Sequence, residues 1–521
     1  MKKFYILLVA LFLVNGASAQ TNQPCSSCLP EGVTFSTQAQ IDNFQVNYPN
    51  CTQIEGNVTI QGNDITNLDG LSILTSIGGS LIIVDNYALT SLTGLESLTS
   101  IGGSLQIGEK YYGNPALTSL TGLDNVTSIG GGLFIEDNYA LTSLMGLESL
   151  TSIGGYLYIY HNASLTSLTG LESLTSIGGG VYFCINDALT SLTGLEGLIS
   201  IGSDLSIDNN AVLTSLTGLD NLNSIGGSLL INYNVYGYGG NHALTSLTGL
   251  EGLTSIGGSF IFGRTSLVNL SGLNNLISIG GDLRTNVDGY YSQNGNPALT
   301  SMTGLDNLTS IGGRLAIGYN YALTSLTGLQ GLTSIGSLSI YQNETLTSLT
   351  GLEGLTSIGG GLYINENASL TSLTGLDNID AGSITDLYIS NNPSLFTCEV
   401  KSICDYLAGP HGAIFQDNAT GCNNSEEVKA NCKFGFEDYA TSEKHITIFP
   451  NPSSTNITIE TPTMPQKNTF MTIFNISGQQ FLKQEIRKPN TTIDISKLTS
   501  GIYIVRLTSE ITVQVGKFIR E

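Results

Sequence analysis

The chain has 521 residues, with 18 Lys+Arg against 41 Asp+Glu and a formal net charge of −23. Only 11% of residues are charged and Gly occurs 63 times, which is too apolar for an acidic disordered chain. Between Ile77 and Asn392 the only Lys or Arg residues are Lys110, Arg264, Arg284 and Arg314; a phosphate backbone would meet net repulsion, and nucleic acid is excluded as a partner.

Residues 1–19 read as a secretory signal peptide. Lys2 and Lys3 precede an apolar run from Phe4 to Val14, and Ala17-Ser18-Ala19 supplies a cleavage site before Gln20. No later stretch approaches the roughly 18 consecutive apolar residues of a membrane-spanning helix. Residues 20–53 form an N-terminal cap carrying Cys25, Cys28 and Cys51. In an oxidising compartment such cysteines read as staples. Cys25-Ser-Ser-Cys28 has the spacing of a redox motif but no βαβ context, so a disulfide from one of these two to Cys51 is expected.

From residue 54 to 392 a 24-residue phrase repeats. The Ile of Ser-Ile-Gly falls at Ile77, Ile101, Ile129, Ile153, Ile177, Ile201, Ile225, Ile256, Ile279, Ile311, Ile335 and Ile358. Such periodicity means a solenoid. In the copy after Gly155, Leu157 and Ile159 alternate as in a strand, whereas Leu165, Leu168, Leu171 and Leu174 recur every three residues. A period of three suits a backbone bending around a core in extended or 3₁₀-like pieces, so each copy closes one coil without a helical layer.

Asn86, Asn138, Asn162, Asn186, Asn210, Asn320, Asn343, Asn367 and Asn392 each stand three residues before a Leu. Turned inward, such amides would pair with backbone groups and with each other in a ladder. An acidic column runs through Glu96, Asp124, Glu148, Glu172, Glu196, Asp220, Glu251, Asp306, Glu353 and Asp377. All but Glu148, which follows Met145, lie three after a Thr, the capping-box spacing; the competing reading is a calcium stripe. Gln330 and Asn274 in the same column favour capping. The paired glycines of Ser-Ile-Gly-Gly answer either a close approach or a positive φ.

Two surfaces are candidates for ligand binding. Three copies carry extra residues after the strand, at Glu109 to Pro115, Tyr233 to His242 and Val287 to Pro297, bearing Tyr111, Tyr112, Tyr233, Tyr236, Tyr238, Tyr290 and Tyr291. Insertions in a solenoid mark a binding edge, and Tyr offers area with a polar tip. The second surface is the outward side of the strands, with Phe134, Tyr158, Tyr160, Tyr182, Tyr341, Tyr363 and Tyr388; exposed rings stack on sugars or on a protein.

Residues 393–432 form a C-terminal cap whose Cys398, Cys404, Cys422 and Cys432 allow three pairings. Cys184 stands alone inside the repeats. A polar linker, residues 433–444, leads to residues 445–521, where alternating strands with Gly, Pro and Asn turns predict a small β-sandwich.

The pattern L-x-I-x-x-N-x-x-L-x-x-L-x-x-L-x-x-L-x-x-I resembles the receptor L domain, over about Cys28 to Cys432. The resemblance implies a right-handed β-helix or leucine-rich-repeat-like solenoid of about 13 coils, with a capping helix at Phe35 to Phe44 and another at Val400 to Leu407. The tail, with Phe449-Pro-Asn-Pro452, Met471-Thr-Ile-Phe474, Leu498-Thr-Ser-Gly-Ile-Tyr503 and Lys517-Phe518, is similar to the type A C-terminal sorting domain of the type IX secretion system. That resemblance implies the secretion machinery as a partner, removal of the tail, and release or attachment to surface lipopolysaccharide.

Enzyme chemistry finds little support. His161, His242, His411 and His445 fall in separate contexts without metal-ligand spacing, and a polysaccharide-degrading β-helix would need a carboxylate pair that capping does not already explain. The expectation is a non-catalytic secreted or surface protein, without cofactor, that binds a glycan or protein. The rival is a self-associating matrix component using calcium on the acidic column.

Overall fold

The computed structural model describes residues 27–233, 239–287, 295–432 and 446–521, apart from 462, 463, 466, 468, 476–478 and 510–512. The signal peptide, Cys25 and the linker therefore lie outside the described residues, as do Tyr236, Tyr238, Tyr290 and Tyr291. The chain divides into two compact units between Ala430 and Asn431.

The first unit is a β-solenoid. Each coil lays two strands on its neighbours, a short one at Ser-Ile and a longer one at Leu-x-Ile. Leu157–Tyr160 pairs in parallel and in register with Leu133–Glu136 on one side and Val181–Cys184 on the other, and Ser152–Ile153 does the same with Ser128–Ile129 and Ser176–Ile177. The third side bends as the three-residue period predicts. Leu165 N–H donates to Asn162 O, Leu171 N–H to Leu168 O and Leu174 N–H to Leu171 O, a chain of tight turns that points every third residue inward. Leu157, Ile159, Leu165, Leu168, Leu171, Leu174 and Ile177 are all buried, one continuous apolar column through the rod.

The Asn ladder is present and longer than expected. In mid-solenoid Asn186 Nδ2 donates to Ile159 O (3.0 Å), Cys184 O (3.2 Å) and Asn210 Oδ1 (3.3 Å), and its Oδ1 accepts from Asn162 N–H (3.1 Å). Asn114, Asn241, Asn296 and Asn418 also belong to it. Thr265 fills the rung in the coil between Asn241 and Asn296, donating its hydroxyl to Asn296 Oδ1 at 2.7 Å. The residue before most rungs is left-handed, as at His161 (φ 55°) and Ile185 (φ 57°).

The Gly-Gly pair serves close approach: a Cβ on Gly154 would sit 2.1 Å from Gly130 O of the preceding coil. Positive φ belongs instead to the Gly of Thr-Gly-Leu, as at Gly170 (φ +114°). That glycine's N–H is what the acidic column caps. Glu172 Oε2 accepts from Gly170 N–H at 2.9 Å, and the uncharged Gln330 Oε1 does the same for Gly328 at 2.7 Å. The carboxylate thus caps the glycine N–H two residues before it and not the Thr N–H, and the Thr169 hydroxyl pairs with Ser167 at 2.9 Å, so the capping is a local turn cap instead of the capping box expected from the spacing.

The solenoid has about 16 coils rather than 13. Counting Ser-Ile-Gly signatures overlooks coils in both caps. Val33–Phe35 pairs with Val58–Ile60, and Ala413–Gln416 with Leu387–Ser390. Phe35 is thus a strand residue. The N-terminal helices are Gln38–Asp42, closed by a Thr37–Gln40 capping box, and Phe44–Asn47. Ile41 and Phe44 seal the end of the core. The other end carries helices Lys401–Ala408 and Ser425–Cys432. Cys28 bonds Cys51 and Cys398 bonds Cys422; Cys404 and Cys432 are disulfide-bonded too.

In the second unit, antiparallel strands Thr447–Phe449, Asn456–Glu460 and Asn490–Asp494 form one sheet, and Gln480–Glu485, Phe470–Asn475, Gly501–Thr508 and Val513–Arg520 form another. Ile457, Ile459 and Ile493 of the first share a core with Met471, Ile473, Val505, Leu507 and Phe518 of the second. This is the small sandwich expected from the alternating pattern.

Candidate ligand-binding face

The outward side of the Leu-x-Ile column is where coils differ, and parallel registry turns sequence differences into surface rows. One row reads Phe134, Tyr158, Tyr182 and Ser206; the next reads Glu136, Tyr160, Cys184 and Asp208. Ring centroids are 6.3 Å apart for Phe134–Tyr158, 6.1 Å for Tyr158–Tyr182 and 5.9 Å for Tyr158–Tyr160, the last stacked at 13°. Some rings lie flat on their own strand. A Cβ on Gly132 would come 2.6 Å from the Phe134 ring, and one on Gly180 2.9 Å from that of Tyr182. The third glycine of Ser-Ile-Gly-Gly-Gly makes room for a ring two residues later, which leaves its other face toward solvent.

The insertion at Glu109 joins this patch, so the two surfaces read from sequence meet here. Tyr111 N–H donates to Asp137 Oδ2 at 2.5 Å, and Asp85 N–H donates to Tyr112 O at 3.0 Å. Between these anchors Tyr111 and Tyr112 are 78% and 53% exposed, with Lys110 Nζ 5.2 Å above the Tyr111 ring. Asp137 is only 2% exposed. Its Oδ1 meets His161 Nδ1 at 2.5 Å, and the Tyr139 ring packs edge-on against that imidazole with centroids 5.2 Å apart. Burial, then the Asp137 and Glu109 carboxylates, push Glu136 up from 4.5 to about 7. Burial, followed by Cys184 and Glu136, drives the Tyr158 hydroxyl well above the ordinary phenol range. Cys184 and Asp208 are buried although they stand in an outward row, and Ser206 Oγ donates to Asp208 Oδ2 at 2.6 Å.

The Asp137–His161 pair is invisible to motif spacing because its members are 24 residues apart, one coil. Reading the chain in columns would have found it. Tyr233 is exposed on the second insertion, whose Tyr236 and Tyr238, like Tyr290 and Tyr291 of the third, lie outside the described residues. Among the described residues no three His, Cys, Asp or Glu side chains converge as metal ligands, and no helix is long and apolar enough to cross a membrane.

On the Ser-Ile side a shallow trough of about 830 Å³ runs across successive coils, lined by Ser100, Ile101, Gly102 and their equivalents. Every coil contributes the same three residues, so nothing along it marks one position from the next.

These features agree with the known families that the chain matches. The Receptor L domain model matches residues 50–145, the BspA type leucine rich repeat region matches residues 105–236 and 289–395 in six copies, and the secretion system C-terminal sorting domain matches residues 447–521. No curated protein matches the chain. The first unit is a β-solenoid that matches a leucine-rich-repeat solenoid, and residues 447–521 match a type IX secretion sorting domain. That domain implies interaction with the secretion machinery and indicates secretion or outer-surface attachment; leucine-rich repeats and receptor L domains are typically non-catalytic.

Proposed function

We propose that this is a non-catalytic recognition protein, exported behind a signal peptide at residues 1–19, that binds an extracellular glycan or protein through the outward face of its strands and the adjoining Tyr-bearing insertions. After passage through the outer membrane the tail at 445–521 is removed and the solenoid is released or attached to lipopolysaccharide. The observation that carries this reading is the row Phe134–Tyr158–Tyr182, where neighbouring rings pack with centroids 6.3 and 6.1 Å apart on registered strands, beside the exposed Tyr111 and Tyr112 of the adjoining insertion. Aromatic platforms of this kind contribute binding area at low entropic cost.

The test is a glycan array probed with the full chain and with a variant combining Tyr158→Ala and Tyr182→Ala. Loss of at least about tenfold in affinity is expected, since single stacked aromatics contribute about 1 kcal/mol each; binding left unchanged would remove this face from the site. Assembly that depends on protein concentration and calcium, seen by light scattering with no glycan or protein bound, would replace recognition with the matrix role.

A further inference from the structure

A second part of the same face, three coils around Arg314, has a different chemistry. Registry sets Ala316 beside Ser339 beside Tyr363, and Gly318 beside Tyr341 beside Asn365. Small side chains therefore make a floor and two tyrosines make walls, enclosing a groove of about 550 Å³ lined by Arg314, Ser339, Tyr341, Tyr363, Asn365 and Glu366 among others. That volume falls within the range of small-ligand clefts, roughly 300–1,000 Å³.

The walls are fixed. Tyr341 lies over Gly318, where a Cβ would meet its ring at 2.4 Å; its hydroxyl donates to Asn286 Oδ1 at 2.8 Å, and Tyr319 packs on it edge-on with centroids 5.6 Å apart. Tyr363 lies likewise over Gly361, at 2.3 Å. Both rings are pinned against a glycine, and the Tyr363 ring is the one offered for stacking on the C–H face of a sugar.

Arg314 supplies the charge. Its guanidinium donates to Ser339 Oγ and makes no ion pair with any described residue. A guanidinium carries five N–H donors in a planar fork suited to a carboxylate. The groove's one carboxylate, Glu366 at the coil corner, accepts from the Gln342 amide. In a chain of net charge −23, a guanidinium left without a carboxylate beside two flat rings calls for an anionic group on the ligand.

We propose that this groove binds a saccharide unit bearing a carboxylate, a hexuronate, with the carboxylate held by Arg314 and the sugar ring against Tyr363. The inference deepens the recognition reading and rests on it, but uses residues separate from the Tyr158 patch.

Calorimetric titration of the full chain with oligogalacturonate, and with its methyl ester as the uncharged equivalent, tests it. The acid is expected to bind at least about tenfold more tightly than the ester, and Arg314→Gln to abolish that preference, because the fork is a charge-assisted bidentate contact. Arg314→Lys, which keeps the charge and loses the fork, is expected to fall between; Tyr363→Ala weakens acid and ester alike. Equal binding of acid and ester, or an Arg314→Gln protein with the preference intact, overturns the proposal. If neutral glycans bind through Tyr158 and Tyr182 while oligogalacturonate does not bind at all, the Arg314 assignment falls and the recognition reading stands.

Discussion

The Asn ladder and the outward row of the Leu-x-Ile column lie a few residues apart in every coil, yet they obey opposite rules. At the rung, Asn recurs from Asn86 to Asn418 with one Thr substitution, and each amide is committed to the backbone of its own and neighbouring coils. In the outward row the same register position holds Gln106, Phe134, Tyr158, Tyr182, Ser206 and Leu230 in succession. A buried polar group without a partner is penalised wherever it occurs, so the interior repeats itself; an outward position on a sheet need only avoid a clash with its two neighbours. Function is therefore expected where the repeat is imperfect.

The largest expected effect tests the interior half of that contrast. Asn186→Ala removes donors to Ile159 O and Cys184 O and the acceptor for Asn162 N–H. At roughly 1–3 kcal/mol per orphaned buried group, the loss should reach about 4 kcal/mol in urea denaturation of the full chain. Tyr182→Ala, one strand position away from Phe183 in the same coil, should lose only about 1 kcal/mol of ring contact. Equal losses would mean that the outward rings are structural after all, which would undercut the proposed face.

A smaller effect probes the outward patch through pH. Glu136 holds its proton up to about 7 in the folded chain, against 4.5 ordinarily. Between those values the folded state binds more protons than the unfolded state, so stability falls as pH rises from about 4.5 to 7 and levels off above. Glu136→Gln cannot ionise. It should flatten that part of the stability profile and exceed the parent protein above pH 7, a difference readable in thermal melts across the range. A profile that stays parallel to the parent's would show that Glu136 is ordinarily solvated, and that Asp137 and Glu109 do not crowd it.

Much of this architecture was legible in the residues, and the parts that were not share a cause. Leu every three residues, Asn three before Leu and the paired glycines all act within one coil, so their spacing declares them. Asn114, Asn241 and Asn296 satisfy the same Asn-x-x-Leu spacing after the insertions and could have been read as rungs. Features built between coils were hidden. The Asp137–His161 pair, the anchoring of Tyr111 on Asp137 and the Arg314 groove each join residues from different coils, and only the register reveals them. The extra coils at both ends escaped because Val33–Phe35 and Ala413–Gln416 carry no Ser-Ile signature.

The smallest effect separates capping from charge in the acidic column. Glu172 caps Gly170 N–H through one oxygen, and Gln330 performs the same service at Gly328 without a charge. Glu172→Gln should therefore lie within about 0.5 kcal/mol of the parent, whereas Glu172→Ala, which leaves the turn N–H uncapped, should lose about 1 kcal/mol. Both are measurable by denaturant titration with and without millimolar calcium. If calcium stabilised the parent and the Gln variant lost that gain, the carboxylate itself would be the working group, and the column would belong with the surface that carries function instead of with the interior that repeats.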